Sequence, residues 1–439
     1  MKNKIGKCLI GISILLLFSN NAVAQKKEKQ LTIDEAIQLA IENHQQLKVT
    51  AKDKDIALKQ TEVTKQQQLP NIVASATAGY LGNTLILDKD FSKVMTKDMP
   101  HFSNTYSVQA SELLFKGGLI SKSIKMSSIR EQLVALDFEK DLQAVKLLVV
   151  SNYLDIYKLH HQEKVYQNNK QLAEIRLENV KKFYNQGMMT RNEVIRGELV
   201  LQNIEQGLLV IKNNLSILNY NLDLSLGLDE DTEIIPIENT EIKLLEGDLS
   251  YYIDLADKFH PMLAMADKSI DIAEQKIGIA NSDKYPTLAA VAGYNMQRPI
   301  TTTNPVTDMY ANTWNVGASL SYSLDNLFKT KNKVSLEKLN KNKAEESKTL
   351  VSQNIQMGVN AAFTKYNEAI QNAGLLKKSQ SLAQENYRII EAKYLNQLAI
   401  QAEMIDATNA KLEAELQYAN AEINVLFQYY NLLKSTGTL

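Results

Sequence analysis

Cysteine is nearly missing from this chain: its one residue, Cys8, lies inside an apolar leader, so the remainder has no thiol for a disulfide, a metal cluster or a nucleophile. Proline is almost as scarce, with none between Pro100 and Pro236 and none after Pro305. The two tracts it leaves uninterrupted are rich in Leu, Lys, Glu, Gln, Asn and Ala, which fits long helices and little else. An excess of one charge is also lacking, since 49 Lys and Arg stand against 50 Asp and Glu, and this gives no reason to expect nucleic acid as a partner. After Ala24 no apolar run approaches the roughly 20 residues that a membrane helix needs. If the protein enters a membrane, it must do so by strands.

What is present begins with Lys2, Lys4 and Lys7, an apolar run from Cys8 to Phe18, and then Ala22-Val23-Ala24. That is the layout of a secretory signal peptide over residues 1–24, which makes Gln25 the expected first mature residue. Cys8 stands early in the apolar run, so a lipid-anchored cysteine is not expected. Cleavage would remove three lysines and no acids, lowering the formal charge from −1 by three to −4.

The mature chain is written twice. Ile37, Leu39, Ala40, His44, Leu47, Lys52, Asp55, Ile56, Ala57 and Pro70 recur 216 positions later as Ile253, Leu255, Ala256, His260, Leu263, Lys268, Asp271, Ile272, Ala273 and Pro286. Ala-Gly-Tyr occurs at 78–80 and 292–294, and Leu114-Phe115-Lys116 returns as Leu327-Phe328-Lys329. Tyr184, Glu193 and Gly227 return as Tyr394, Glu403 and Gly437 at an offset of 210. The division is residues 25–248 for the first copy and 249–439 for the second.

Each copy has the same order of elements. A helix (Thr32 to Gln68; Tyr251 to Asp283) ends before the repeated proline, which opens a strand, a position where proline is tolerated. The strands Asn71–Tyr80 and Thr287–Met296 are followed by loops 81–103 and 297–311, then by partner strands Asn104–Ala110 and Thr313–Leu324. Long helices follow at 121–186 and 332–396, then, after a break, helices at 190–226 and 401–436. Val194, Val200, Leu201, Ile204, Leu208, Ile211, Leu215, Leu218 and Leu222 mark a heptad-like packing seam.

The segment TWNVGASLSYSL at 313–324 alternates without exception: Trp314, Val316, Ala318, Leu320, Tyr322 and Leu324 on one face, small or polar residues on the other. Four strands of this length and dyad pattern suit an outer-membrane barrel. In lipid an open sheet edge would strand N–H and C=O groups, so the sheet must close, and four strands are too few to close alone. Several chains must therefore share one barrel. Tyr80, Tyr106, Tyr294, Trp314 and Tyr322 would be its interfacial aromatics.

The sequence resembles the TolC family of outer-membrane efflux proteins in this order of elements, in Leu114-Phe115-Lys116-Gly117-Gly118 closing the strand, and in Tyr184-Asn185-Gln186-Gly187 before a helix opening with Glu193. The resemblance spans nearly the whole mature chain. It implies a mainly α fold with a membrane β-barrel: a homotrimer whose twelve-stranded barrel in the outer membrane of a Gram-negative cell continues as a barrel of long α-helical hairpins in the periplasm. The implied function is a passive exit duct for efflux or type I secretion, working with a periplasmic adaptor and an inner-membrane transporter and without a cofactor.

Site residues follow from the same resemblance. Glu403-Met404-Ile405-Asp406-Ala407 is similar to the family's acidic turn-start, and Glu403 and Asp406, three apart, share a helix face. In a trimer they would form an acidic ring at the narrow end, which favours cations. Glu193, Tyr184 and Tyr394 fall at the constraints that keep the tunnel closed. The adaptor would meet the helix breaks at Gly187, Met188, Met189, Thr190, Gln397, Ile400 and Gln401. Gln397 stands where the family usually has Gly, Ala399 where some members carry Arg, and Arg196 where a small or polar residue is expected.

Other classes have less support. A secreted or periplasmic coiled-coil scaffold or adhesin without a pore would use the same helices. Catalysis finds no nucleophile motif or phosphate loop; His44 and His260 are repeat equivalents near helix bends, and adjacent His160 and His161 point to different helix faces.

Overall fold

The computed structural model describes residues 27–237, 245–396 and 398–439, so the signal segment 1–24 with Cys8, residue Gln25, and Gln397 lie outside the described residues. The first copy runs β1 (Lys27–Leu31), α1 (Ile33–Asn43), α2 (Gln45–Lys65), β2 (Asn71–Tyr80), β3 (Thr84–Leu87), β4 (Lys93–Lys97), β5 (Phe102–Phe115), α3 (Leu119–Asn185), α4 (Arg191–Leu226) and β6 (Thr232–Pro236). The second runs α5 (Leu249–Phe259), α6 (Pro261–Ser282), β7 (Thr287–Arg298), β8 (Ala311–Ser321), α7 (Asn326–Leu395) and α8 (Gln401–Thr436). No described helix is long and apolar enough to cross a membrane.

The first helix of each copy is broken at its histidine, and the cause is local. His44 and His260 leave the helical region, and each ring Nδ1 accepts the backbone N–H two residues on, from Gln46 and Met262 at 3.2 Å. The side chain thereby satisfies a donor that the next helix start leaves orphaned. Burial pushes the His44 imidazole below its ordinary value, the direction that favours an accepting ring nitrogen.

The chain forms two compact units, each drawing segments from both copies. One comprises residues 49–141 and 257–356 and holds a four-stranded antiparallel sheet in the order β2-β5-β7-β8. Its register puts the alternating sets on common faces: Ala74 faces Val108, Val108 faces Tyr294, and Tyr294 faces Trp314. The opposite face carries Ser75, Thr77, Ser107, Gln109, Asn295 and Asn315, with the Ser75 and Ser107 hydroxyls bonded at 2.8 Å. Neither face of β2 is covered, and the apolar face exposes Trp314 by 76% and Leu320 by 71%. The two outer strands, β2 and β8, have one pairing neighbour each among the described residues.

Two details of this unit differ from the alternation pattern. Strand β5 runs on to Phe115 because its pairing with β7 continues through Glu112 and a bulge between Leu113 and Phe115 disguises the period. The segment read as a loop at 81–103 contains the hairpin β3–β4, where the consecutive Leu85, Ile86 and Leu87 hide any dyad repeat.

The other unit comprises, among the described residues, those of 27–48, 142–256 and 357–439. Its seam on α4 buries Val194, Ile204, Ile211, Leu215, Leu222 and Leu226, and each such side chain contributes roughly 1.5–3 kcal/mol. A short parallel pair, β1 with β6, joins the two ends of the first copy, where Ile234 is fully buried and the Tyr153 hydroxyl donates to the Leu31 carbonyl at 2.8 Å. Tyr366, Ala369 and Ala373 of α7 pack on Ala421 and Val425 of α8, small residues letting these two helices approach closely.

Candidate functional site

All the sequence-predicted site residues that are described fall at the two helix breaks, within the unit just described. The first break is a Schellman turn. Gly187 has φ +74°, the Met188 N–H returns to the Phe183 carbonyl at 2.9 Å, and the Gly187 N–H reaches the Tyr184 carbonyl at 3.0 Å. The second break keeps the same long bond, from the Leu398 N–H to the Lys393 carbonyl at 2.8 Å. The breaks expose apolar tips: Met188 by 62%, Leu398 by 78% and Ile400 by 66%. Met189 turns inward against Val194 and Leu177.

The helices that restart after each break differ at one position, with a consequence for charge. In the first copy Thr190 is the N-cap, and the Glu193 carboxylate accepts its backbone N–H at 2.6 Å and its hydroxyl at 3.3 Å, closing a capping box. In the second copy the N-cap is Ile400, which has no side-chain oxygen. Its counterpart acid Glu403 is exposed, as is Asp406 on the same face, and neither has a hydrogen-bond or ion-pair partner among the described residues. Of these three acids, Glu193 is spent on its own helix start. Glu403 and Asp406 keep their carboxylates open to solvent.

The two repeat-equivalent tyrosines also part ways. Tyr184 is 40% exposed, whereas Tyr394 is 9% exposed and packs with Tyr387 and Met404. The Tyr394 hydroxyl meets the Met189 sulfur at 3.8 Å, and burial, together with the Glu193 charge, raises its phenol above the ordinary value. A second contact between the breaks comes from Gln401, whose side-chain amide donates to the Glu193 backbone carbonyl at 2.8 Å.

A polar network adjoining the Tyr387 cluster was not anticipated. The Arg176 guanidinium on α3 donates to the Thr408 hydroxyl on α8 and to the Tyr387 hydroxyl on α7, both at 2.8 Å. Tyr387 passes a hydrogen bond on to Glu391 at 2.7 Å. Burial first, and then donation to Glu391, pushes the Tyr387 phenol up to about 12 against the opposing charge of Arg176. The Lys411 ammonium sits 4.8 Å from the Tyr387 ring centroid, and Asn169 reaches Glu415 at 3.1 Å. Three helices are thus tied by charge-assisted bonds in a half-buried place, where such bonds are stronger than at the surface. The signal was in the seam: Asn169, Ala173, Arg176 and Val180 keep a 4-3-4 spacing, and an arginine on that line has to find partners.

The sequence model of the family described as outer membrane efflux protein matches residues 36–228 and again residues 252–438. A curated relative, the probable outer membrane lipoprotein SilC of Salmonella typhimurium, is 24% identical over 182 residues, a stretch covering 39% of this chain and 39% of that protein. Among solved structures, the outer-membrane channel OprN is 15% identical with a TM-score of 0.76, over 93% of this chain and 90% of that one. The CmeC outer membrane channel of Campylobacter jejuni is 15% identical with a TM-score of 0.77, over 92% of this chain and 85% of that one. At such identities the likeness to the solved channels is one of fold.

Proposed function

The chain belongs to the outer membrane efflux protein family, and from that premise we propose that three copies assemble into one conduit that passes solutes passively from periplasm to exterior. The family places the protein in the outer membrane, and family and fold are those of channel proteins rather than enzymes. The observation that carries the assembly is the sheet: an apolar face exposing Trp314, Val316 and Leu320, a face of Ser, Thr, Asn and Gln, and two outer strands with a free edge among the described residues. Lipid takes the first face and water the second. The edges have to be met by other copies, because unpaired backbone groups cannot be left in hydrocarbon. Three copies give twelve strands, and the paired helices supply the wall of the aqueous path below them.

Within that conduit Glu403 and Asp406 would make a ring of six carboxylates at the constriction, and the interhelical bonds of Arg176 and Gln401 would hold the constriction closed. A periplasmic adaptor would dock on the helix breaks, where Met188, Leu398 and Ile400 present apolar side chains, and an inner-membrane transporter would supply the energy. The test is reconstitution of the purified full chain in planar bilayers together with native mass spectrometry. A trimeric mass and discrete cation-selective conductance are expected. A monomer leaving bilayers non-conducting would point to a scaffold without a pore. Crosslinking that found the adaptor only on the loops 81–101 and 299–310 would remove the docking mode.

A further inference from the structure

At the junction between β8 and α7 lies a groove of about 560 Å³, lined among others by Lys284, Tyr322, Leu327, Thr330, Lys331 and Lys338. Nearby lysines are spoken for: Lys329 meets Asp325 at 2.7 Å, Lys333 meets Asp283 at 2.9 Å and Lys341 meets Glu274 at 2.8 Å. The three that line the groove have no carboxylate partner among the described residues. Thr330 adds an independent sign, being 1% exposed with a hydroxyl that has no hydrogen-bond partner among the described residues. A buried hydroxyl without a partner costs free energy unless something completes it. Leu327 in the lining, and Leu324 and Phe328 near it in sequence, are 70%, 71% and 68% exposed.

We propose that this groove binds the anionic phosphate headgroup of a phospholipid in the periplasmic leaflet of the outer membrane. The inference rests on the reading of the sheet as membrane-embedded, since β8 ends at Ser321 and the groove begins where the strand gives way to helix. Three ammonium groups and a hydroxyl donor suit phosphate oxygens. Tyr322 is an aromatic of the type that sits at headgroup level, and Leu324, Leu327 and Phe328 offer apolar surface to acyl chains. A second copy is the less suitable occupant. The strand it would lay beside β8 is β2, and residues 63–80, which lead into it and run along it, contain no carboxylate to neutralise the lysines. Free phosphate would leave the exposed Leu and Phe side chains without a partner.

The full chain, delipidated in neutral detergent, is titrated with phosphatidylglycerol, phosphatidylcholine and inorganic phosphate and followed by native mass spectrometry. Phosphatidylglycerol should be retained in preference to phosphatidylcholine and should not be displaced by excess inorganic phosphate. The combined Lys284→Gln, Lys331→Gln and Lys338→Gln variant should bind it at least about tenfold more weakly. Thr330→Val should weaken it as well without loss of thermal stability, because it removes a buried hydroxyl while keeping the side chain's shape. Unchanged phosphatidylglycerol binding in either variant, or no preference over phosphatidylcholine, would overturn the proposal. So would protection of Lys331 from an amine reagent in the lipid-free assembly, which would give the groove to a second copy. Conductance of the wild type in bilayers separates the two readings: a conducting protein without lipid preference sinks only the lipid site, whereas failure to insert sinks both.

Discussion

Gln401 donates its side-chain amide to the main-chain carbonyl of Glu193 at 2.8 Å, fastening the first turn of the second copy's last helix to the matching turn of the first. Gln401 is 5% exposed, so solvent has little access to the bond. Gln401→Leu keeps the bulk and removes the donor, at a cost of about 0.5–1.5 kcal/mol for the lost hydrogen bond. If this contact favours the closed constriction, the open population rises by a factor of roughly 2 to 13. Single-channel recordings without adaptor should show that rise; an unchanged open probability would make the bond merely structural.

Arg176 should matter more, because its guanidinium holds two helices at once through Thr408 and Tyr387. Arg176→Met is expected to cost about 2–3 kcal/mol and to raise resting conductance further than the Gln401 change. Lysine should rescue poorly, since a single ammonium cannot reproduce a fork reaching both hydroxyls. Conductance and thermal unfolding of the Met and Lys variants, side by side, decide this. A lysine variant that behaves as wild type would show that charge alone suffices.

How much of this was legible beforehand depends on the period of each element. β2, β7 and β8 could be read to within a residue or two at most ends, because ten residues of strict alternation admit one face assignment. The long helices were legible through the lack of proline. The hairpin β3–β4 was not, since Leu85-Ile86-Leu87 has no period, and neither was the pairing of β1 with β6, five residues each and far apart in sequence. At the site, the repeat identified Glu193 and Glu403 as equivalents, but the difference between them sits three residues earlier, where Thr190 caps and Ile400 cannot. Arg176 was overlooked for another reason: its 4-3-4 line with Asn169, Ala173 and Val180 is legible, but an arginine in a charged helix looks solvated until the facing helices are placed.

The two acids that have no partner of their own make the next expectation. Glu403→Gln with Asp406→Asn should reduce cation over anion selectivity severalfold and weaken block by multivalent cations, with little change in stability because both side chains are exposed. Glu193→Gln should do the reverse, costing about 0.5–1 kcal/mol through the weakened capping box and leaving selectivity alone. Reversal potentials in a salt gradient separate the pair. Equal effects of the two changes on selectivity would place Glu193 in the ring as well.

Asp223 on α4 offers a test of stability against pH. Its side chain is fully buried near the C-terminal end of the helix, and neither carboxyl oxygen has a hydrogen-bond partner among the described residues. Burial is the main cause that pushes its carboxyl up to about 6, and the nearby charges of Asp229 and Asp231 add to it. The Thr232 N–H lies close enough to offset a part, but it is bonded to the Asp229 carbonyl at 3.0 Å. Because the folded value is raised, the folded chain holds the proton more tightly than the unfolded one. The stability this provides is fully present below about pH 4, where both states are protonated, and is lost as pH rises through about 6. The loss amounts to as much as about 3 kcal/mol at neutral pH and above. Asp223→Asn removes the titration, so the stability gap between variant and wild type should move in the variant's favour between pH 5 and pH 8. Any fixed cost of placing an amide at this site is the same at both pH values and drops out of that comparison. Thermal unfolding of both proteins at the two pH values measures the gap, and one that does not change with pH would mean that Asp223 is already ionised, and solvated, in the folded state.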